Sequence, residues 1–145
     1  MRRATPDDID AVNRLLRVGF DRLAIPDDLE RPELHVFLTD DDQALGAVYF
    51  ARDVGRWAAH ATSWVVHPDA RGRGVSRELV AETRRVAGEF AAEHGPMRLF
   101  GYSNPSRGAS IHLLASDGWK HIGDAIGEHG SHLWAVDYDE HGNAR

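Results

Sequence analysis

The residues whose types and spacing best suit chemistry form a glycine-bearing turn between a predicted strand and a predicted long helix. Gly72 and Gly74 lie two positions apart in this turn. Glycine allows a backbone to turn sharply and a ligand to approach it closely. The first amides of a helix have no partner within that helix, and the helix dipole adds positive charge at the same end. The turn is therefore suited to an anion such as a phosphate.

Three arginines, Arg71, Arg73 and Arg77, surround this turn in a chain whose formal net charge is −6. Two familiar phosphate motifs fail on spacing. The motif GxxxxGK[ST] needs a Gly–Lys pair, which the chain lacks, and the motif GxGxxG needs a third glycine where Arg77 stands. Because short glycine motifs have low specificity, an ordinary strand–helix connection with solvated arginines is the alternative interpretation.

The elements that must position this turn follow from hydrophobic spacing and turn residues. Their predicted order is strand, helix, three strands, helix, strand, helix and two strands. The strands are predicted at 2–5, 34–39, 44–52, up to Val66, 97–103, 120–125 and 132–138, and the helices after Thr5, at 76–93 and at 108–116. This order predicts an α/β (α+β) fold with a mixed, mostly antiparallel sheet and helices on its faces.

Length and composition exclude several classes of protein. The chain of 145 residues fits one domain over 1–145, and its lack of cysteine excludes disulfides, iron–sulfur clusters and a thiol nucleophile. The acidic balance is atypical of proteins that bind nucleic acid or a membrane surface, so we expect neither partner. No stretch has the roughly 18 apolar residues of a membrane helix, and residues 1–5 carry no signal-like apolar region, so we expect a cytoplasmic protein.

The run from Val66 to Val75, V-H-P-D-A-R-G-R-G-V, resembles the acyl-CoA-binding motif of the GNAT superfamily of N-acyltransferases. The family pattern is [Q/R]-x-x-G-x-[G/A], and this chain has Ser76 at the last position. The run from Asn104 to Trp119 resembles the family segment N-P-x-N-x-x-A-x-x-L-Y-x-x-x-G-F, with Arg107 at its second asparagine and Leu114 at its tyrosine. Residues 2–8 resemble the first strand and helix cap of the family.

The resemblance implies a central sheet of about six to seven strands flanked by three to four helices and splayed between strands four and five. It implies acetyl-CoA as the co-substrate. Fourth-strand backbone groups would pair with the pantetheine arm, the turn amides would hold the pyrophosphate, and Asn104 would touch the pantetheine. Arg71 would bind the same cofactor through its positive charge. Arg107 would reach a CoA phosphate or stand exposed at a helix start. The implied fourth-strand and turn residues are Trp64, Val65, Val66, Gly72, Arg73, Gly74, Val75, Ser76 and Arg77.

The implied reaction is attack of an amine on the thioester, which is helped by a base and by an acid for the leaving thiolate. His60, on the fourth strand, is our candidate base, and a solvent-facing strand histidine is the alternative. Tyr102, at the end of the fifth strand, is the candidate acid because Leu114 replaces the usual tyrosine; an ordinary strand aromatic is the alternative. Weaker candidates are Ser103, Ser110 and Tyr138.

The function implied is transfer of an acetyl group to a primary amine, either a small cationic amine or a peptide amine. An acidic loop and turn would attract such an amine, and a solvated acidic surface without a role in binding is the alternative. The acidic residues are Asp21, Asp27, Asp28, Glu30, Glu33, Asp40, Asp41 and Asp42. A non-catalytic acyl-CoA-binding sensor is the alternative, which Leu114 favours.

His129 and His132 have three-residue spacing, but Gly130 indicates a hairpin turn, so we expect no metal. The oligomeric state, homodimer included, is left open.

Overall fold

The computed structural model describes residues 1–19, 26–30, 34–38, 44–53, 58–103, 108–125 and 131–145. These residues form seven strands and three α-helices in the predicted order, which confirms the mixed α/β class. The elements are β1 (Arg2–Arg3), α1 (Ile9–Gly19), β2 (Leu34–Leu38), β3 (Gly46–Asp53), β4 (Ala58–Val66), α2 (Val75–His94), β5 (Met97–Ser103), α3 (Gly108–Ser116), β6 (Lys120–Ala125) and β7 (Ser131–Tyr138). None of the helices in this part of the chain has both the length and the apolar character needed to cross a bilayer.

The predicted bounds of β5, α3 and β6 agree with the structure, and two other predictions were wrong by a few residues. The first strand ends at Arg3 rather than at residue 5, because a 3₁₀ turn over Pro6–Asp8 begins there, with the Asp8 amide donating to the Thr5 carbonyl at 2.8 Å. The third strand begins at Gly46 rather than at residue 44. Ala44 has φ +48°, a left-handed conformation that regular strands do not contain.

The chain forms two compact units. The first contains residues 1–52 and 61–85, and its strands follow the order β1-β2-β3-β4, with antiparallel pairing of β1 with β2 and of β2 with β3. Three apolar residues of α1 at helical spacing, Val12, Leu15 and Leu16, are fully buried in its core. One face of α1 therefore closes the core of this unit.

Gly46 fixes the start of α2 against β3 within the first unit. A Cβ atom at Gly46 would lie 2.5 Å from Cγ1 of Val75 and 3.1 Å from Cδ1 of Leu79. Real Cβ atoms do not approach other carbons so closely, so only glycine allows this contact. The backbone of β3 thus holds the first turn of α2, and with it the glycine-bearing turn that precedes it.

The second unit contains residues 53–60 and 86–145. Its strand order runs from the first residues of β4 through β5 and β7 to β6, and β7 pairs antiparallel with both β5 and β6. The helix α3 ends at Gly118, whose φ is +85°, and the Trp119 amide donates to the Leu114 carbonyl at 3.1 Å. This turn places the Trp119 ring on Gly101, where a Cβ atom would lie 2.7 Å from it.

Candidate functional site

The glycine-bearing turn is anchored at both ends by backbone hydrogen bonds. The His67 amide donates to the Leu45 carbonyl at 2.8 Å, which ties the end of β4 to the start of β3. A 3₁₀ turn over Pro68–Ala70 follows, and the Arg73 amide donates to the Ala70 carbonyl at 3.2 Å. The chain then enters α2 at Val75. The turn is therefore a fixed backbone structure between β4 and α2.

The two glycines adopt the backbone conformation that a glycine-specific turn requires. Gly72 has φ +79° and Gly74 has φ +80°, values that side chains with a Cβ rarely adopt. A Cβ atom at either position would have nothing within 4 Å. The space beside both glycines is thus open, and a ligand can reach their backbone.

The start of α2 presents backbone amides without helical partners. The first intrahelical bond runs from the Glu78 amide to the Gly74 carbonyl at 3.2 Å, so the amides of Val75, Ser76 and Arg77 precede any partner within the helix. The helix dipole adds positive charge at this end. This part of the turn can bind an anion through backbone geometry alone.

The predicted arginines lie around these amides and are exposed. Arg71, Arg73 and Arg77 all lie on the exposed surface of the first unit. Because the Arg73 amide already donates to Ala70, this residue can serve an anion only through its guanidinium. The other two predicted contacts of the cofactor, Asn104 and Arg107, lie outside the described residues.

The end of β4 carries the residues predicted to pair with pantetheine. Val65 is buried in the core of the first unit, whereas Trp64 and Val66 are half-buried. The indole Nε1 of Trp64 donates to the Ala61 carbonyl at 3.2 Å, which holds the indole along its own strand. The side chains of Trp64 and Val66 therefore remain partly accessible to a ligand, whereas that of Val65 does not.

The candidate base and the candidate acid lie in hydrogen-bond contact in the second unit. Nδ1 of His60 lies 3.2 Å from the hydroxyl oxygen of Tyr102. The His60 ring also stacks on Phe100, with centroids 5.1 Å apart and an interplanar angle of 20°. Strand alternation places Phe100 and Tyr102 on the same face of β5. Phe100 was not among the residues predicted from sequence, although its spacing of two from Tyr102 was a usable signal.

The surroundings of His60 favour the neutral imidazole. Burial lowers the pKa of His60 below its ordinary value of 6.5, and the Asp53 carboxylate opposes this change more weakly. His60 is therefore largely neutral near pH 7 and can accept a proton. Asp53 was not among the residues predicted from sequence, because its influence depends on its place at the end of β3.

The weaker catalytic candidates that the structure describes are buried in the second unit. The Ser103 hydroxyl accepts a hydrogen bond from Nε1 of Trp134 at 2.9 Å, and both residues are buried. Leu114 and Tyr138 are buried as well. The side chain of Ser110 lies outside the described residues. Among the candidates whose side chains the structure describes, His60 and Tyr102 are thus the partly accessible ones.

Comparison with known proteins adds to this geometry. A model of the Acetyltransferase (GNAT) family matches residues 9–119 of the chain. This match includes the glycine-bearing turn as well as His60 and Tyr102. No curated protein sequence matches the chain.

Solved structures share the fold at low sequence identity. The ribosomal-protein-S18-alanine N-acetyltransferase from Escherichia coli has a TM-score of 0.76 at 14% identity, over 94% of this chain and 91% of that chain. A mutant of the spermidine N-acetyltransferase SpeG from Vibrio cholerae has a TM-score of 0.74 at 15% identity, over 94% of this chain and 91% of that chain. The structure of yncA from Salmonella typhimurium, with its cofactor acetyl-CoA, has a TM-score of 0.71 at 18% identity, over 96% and 92%. At these identities the likeness establishes the fold alone.

Proposed function

Because this chain belongs to the GNAT acetyltransferase family, we propose that it transfers the acetyl group of acetyl-CoA to a primary amine by direct attack of the amine on the thioester. The observation that carries this proposal is the turn at Gly72 and Gly74, with its open backbone and its partner-free helix amides. We further propose that residues 1–145 act as one domain, because the family match includes parts of both compact units.

The turn fits the pyrophosphate of CoA. The open space beside Gly72 and Gly74 admits a bulky anion, which a Cβ atom there would obstruct. The amides of Val75, Ser76 and Arg77 donate to its oxygens, and the Arg71 and Arg73 guanidiniums neutralise its charge. Backbone groups of Trp64, Val65 and Val66 pair with the pantetheine arm. We propose the same ligand for Asn104 and Arg107.

His60 is the proposed base for the attacking amine. A protonated amine has no lone pair, so it must lose a proton before it reacts. His60 accepts that proton directly or through one water, since burial keeps its imidazole largely neutral near pH 7. In the tautomer that suits a base, Nδ1 of His60 carries the N–H and donates it to the Tyr102 hydroxyl oxygen, which leaves the Nε2 lone pair free for the amine proton. The Tyr102 hydroxyl proton then remains available for the leaving thiolate.

Stabilisation of the reacting carbonyl is proposed for the same strand that holds the pantetheine. Acetyl-CoA supplies the acetyl group as a thioester, whose carbonyl oxygen gains negative charge during the attack. A backbone amide near Val66 donates a hydrogen bond to that oxygen. Tyr102 is the proposed proton source for the thiolate, since Leu114 has no donor. A thiolate leaves without full protonation, so we expect the acid to matter less than the base.

The proposed acceptor is a cationic primary amine. The predicted acidic loop would attract a positive charge. Of its residues, Asp28 and Glu30 have described side chains, and Glu30 is exposed. The similar structures carry the names of a spermidine acetyltransferase and of an enzyme for a protein alanine. Both names are compatible with an amine acceptor.

Two measurements on the same protein test the proposal. Release of CoA is followed over a panel of polyamines, aminoglycosides and short peptides with free amino ends, while calorimetry measures acetyl-CoA binding to the same protein. We expect both binding and amine-dependent CoA release. Tight binding without release for any amine would favour the sensor function, and absence of binding would contradict the use of acetyl-CoA.

A further inference from the structure

Three side chains with metal-binding atoms converge on the β6–β7 hairpin in the second unit. Oδ1 of Asp124 lies 2.9 Å from Nδ1 of His132 and 3.3 Å from Nε2 of His121. The ligand atoms of the three residues all lie within 4.8 Å of one another. The two imidazole rings meet edge to face, with centroids 4.7 Å apart. No step of the proposed acetyl transfer uses this cluster.

A bulge in β6 brings the three residues together. Along an ordinary strand, His121 and Asp124 would point to opposite faces, because they are three positions apart. The pairing register shifts between His121, which faces Trp134, and Gly123, which faces Leu133. The extra residue, Ile122, restores His121 and Asp124 to one face, and Asp124 then pairs directly with His132. Bulges are known to redirect side chains in this way.

We propose that His121, Asp124 and His132 bind a divalent transition-metal ion, with Zn²⁺ as the expected ligand. Two imidazoles and a carboxylate are ligands that such ions accept. Metal–ligand bonds of about 2.0–2.2 Å put neighbouring ligand atoms about 2.8–3.6 Å apart in octahedral or tetrahedral geometry. The two contacts of Asp124 already fall within that range, and the ligand nitrogens of the two imidazoles lie within 4.8 Å of each other.

The state of the three side chains agrees with metal binding. His121 and Asp124 are exposed and His132 is half-buried, so solvent can fill the remaining coordination positions. The ion would link β6 to β7 and stabilise the hairpin.

The cluster lies on the opposite face of β5 and β7 from Tyr102. His132 pairs with Ser103 and Trp134 with Gly101, whereas Tyr102 pairs with Leu133. Alternation along the strands puts the first two pairs on one face and the pair of Tyr102 on the other. Metal binding can therefore be measured apart from acetyl transfer, with readouts that do not depend on activity.

Calorimetric titration of the full chain with ZnCl₂ tests the proposal. The titration is made after removal of any affinity tag and in buffer without chelator. We expect one saturable site and a Zn²⁺-dependent rise in thermal midpoint. His121→Ala, Asp124→Asn and His132→Ala should each weaken Zn²⁺ binding by at least about tenfold, since changes even outside the ligand shell cause such losses. His112→Ala, which removes an exposed histidine of α3, is the matched control and should bind as the unmodified protein does.

Indole fluorescence gives a second, local readout. The Trp134 ring lies 5.2 Å from the His121 ring, so Cu²⁺ at the site should quench its emission. The quenching should diminish in Trp134→Phe and in Asp124→Asn. Trp64→Phe, which removes a different tryptophan, is the control and should retain the quenching. Absence of a saturable Zn²⁺ site, or equal affinity in the three ligand variants and the His112→Ala control, would overturn the proposal.

Discussion

The Nδ1 atom of His60 lies 3.2 Å from the hydroxyl oxygen of Tyr102, so the two residues that sequence alone offered as separate base and acid form one hydrogen-bonded pair. The His60 ring is further held by stacking on Phe100. A proton that enters at His60 is therefore adjacent to the Tyr102 hydroxyl, and the two side chains must be considered together. Variants of the pair should not have additive effects.

His60→Ala should lower kcat/KM at neutral pH by about 10²–10⁴-fold, the usual contribution of a general base. The defect should shrink at high pH, where the amine loses its proton unaided. Tyr102→Phe should cost less, because a thiolate leaves without full protonation. Rates of CoA release across a pH series measure all three effects.

The control for this pair is His141→Ala, which removes an exposed histidine near the end of the chain and should leave the pH profile unchanged. The double variant of His60 and Tyr102 should be slower than His60→Ala by a smaller factor than Tyr102→Phe costs in the unmodified protein. An inactive Tyr102→Phe beside a normal His60→Ala would show that the tyrosine carries the essential proton transfer.

Asp53 should set the acid limb of the same profile. Burial lowers the pKa of His60 below 6.5, and the Asp53 carboxylate partly raises it again. Loss of that carboxylate in Asp53→Asn should lower the His60 pKa further, since the charged imidazole loses a favourable partner. The fall of kcat/KM on acidification should then occur at lower pH than in the unmodified protein.

Asp10→Asn, which changes an exposed carboxylate of α1, serves as the control for general charge effects. A shift of the acid limb to higher pH in Asp53→Asn, or equal shifts in both variants, would contradict a specific interaction between Asp53 and His60.

The sequence predicted what depends on local pattern. Glycines and arginines at residues 71–77 indicated the turn, and alternation indicated β5 with its correct ends. Contacts between side chains on different strands could not be predicted from that pattern, because they depend on which strands pair and in which register. His132 was compared with His129 along the chain, whereas its partners in the structure are Asp124 and His121, aligned by a bulge in β6. Gly123 inside the predicted strand was a usable signal for that bulge, but it does not reveal the pairing register.

Gly74→Val should abolish acetyl-CoA binding. The φ of +80° at this position strains a β-branched residue, and its side chain would fill the space from which a ligand approaches. Gly74→Asn is the matched variant, because asparagine tolerates a positive φ while still adding a side chain. Calorimetry with acetyl-CoA should show weak binding in both variants if obstruction is the cause.

Circular dichroism should show intact helices in both Gly74 variants, since the apolar face of α2 is untouched. Strong binding by Gly74→Asn with loss only in Gly74→Val would assign the effect to backbone strain. Unchanged binding in both would remove the pyrophosphate from this turn.

Arg71→Ala and Arg73→Ala test which phosphate of CoA each guanidinium contacts. A charge-assisted hydrogen bond contributes about 1.5–3 kcal/mol, so loss of a contact should weaken binding by roughly 10–100-fold. A residue that contacts the ribose 3′-phosphate should affect CoA more than dephospho-CoA. Arg17→Ala, an exposed arginine of α1, is the control.

Equal losses for the two ligands would place the contact at the pyrophosphate. Normal affinity for both ligands in both variants would contradict a role for these guanidiniums, and the backbone amides of α2 would then have to hold the phosphates without them.

Asp8 should stabilise the first unit in a pH-dependent way. Its carboxylate accepts hydrogen bonds from two Arg2 nitrogens, both at 2.7 Å, and from the Thr5 amide at 2.8 Å. The Arg2 bonds are the main reason that its pKa falls from 3.8 to about 2. Asp8→Asn should therefore lower the free energy of unfolding at pH 7 by about 1 kcal/mol, as expected for loss of a partly exposed cap and ion pair.

The sign of the pH effect follows from the lowered pKa of Asp8. The folded state binds the Asp8 proton less tightly than the unfolded state, so the stabilisation is fully present above pH 3.8 and is lost as the pH falls through about 2. Urea unfolding of Asp8→Asn and the unmodified protein should converge over that interval. The neighbouring Asp7→Asn should differ little from the unmodified protein at any pH, because Asp7 is exposed. A deficit in Asp8→Asn that persisted undiminished at pH 2 would show that the carboxylate charge is not what stabilises this end of the chain.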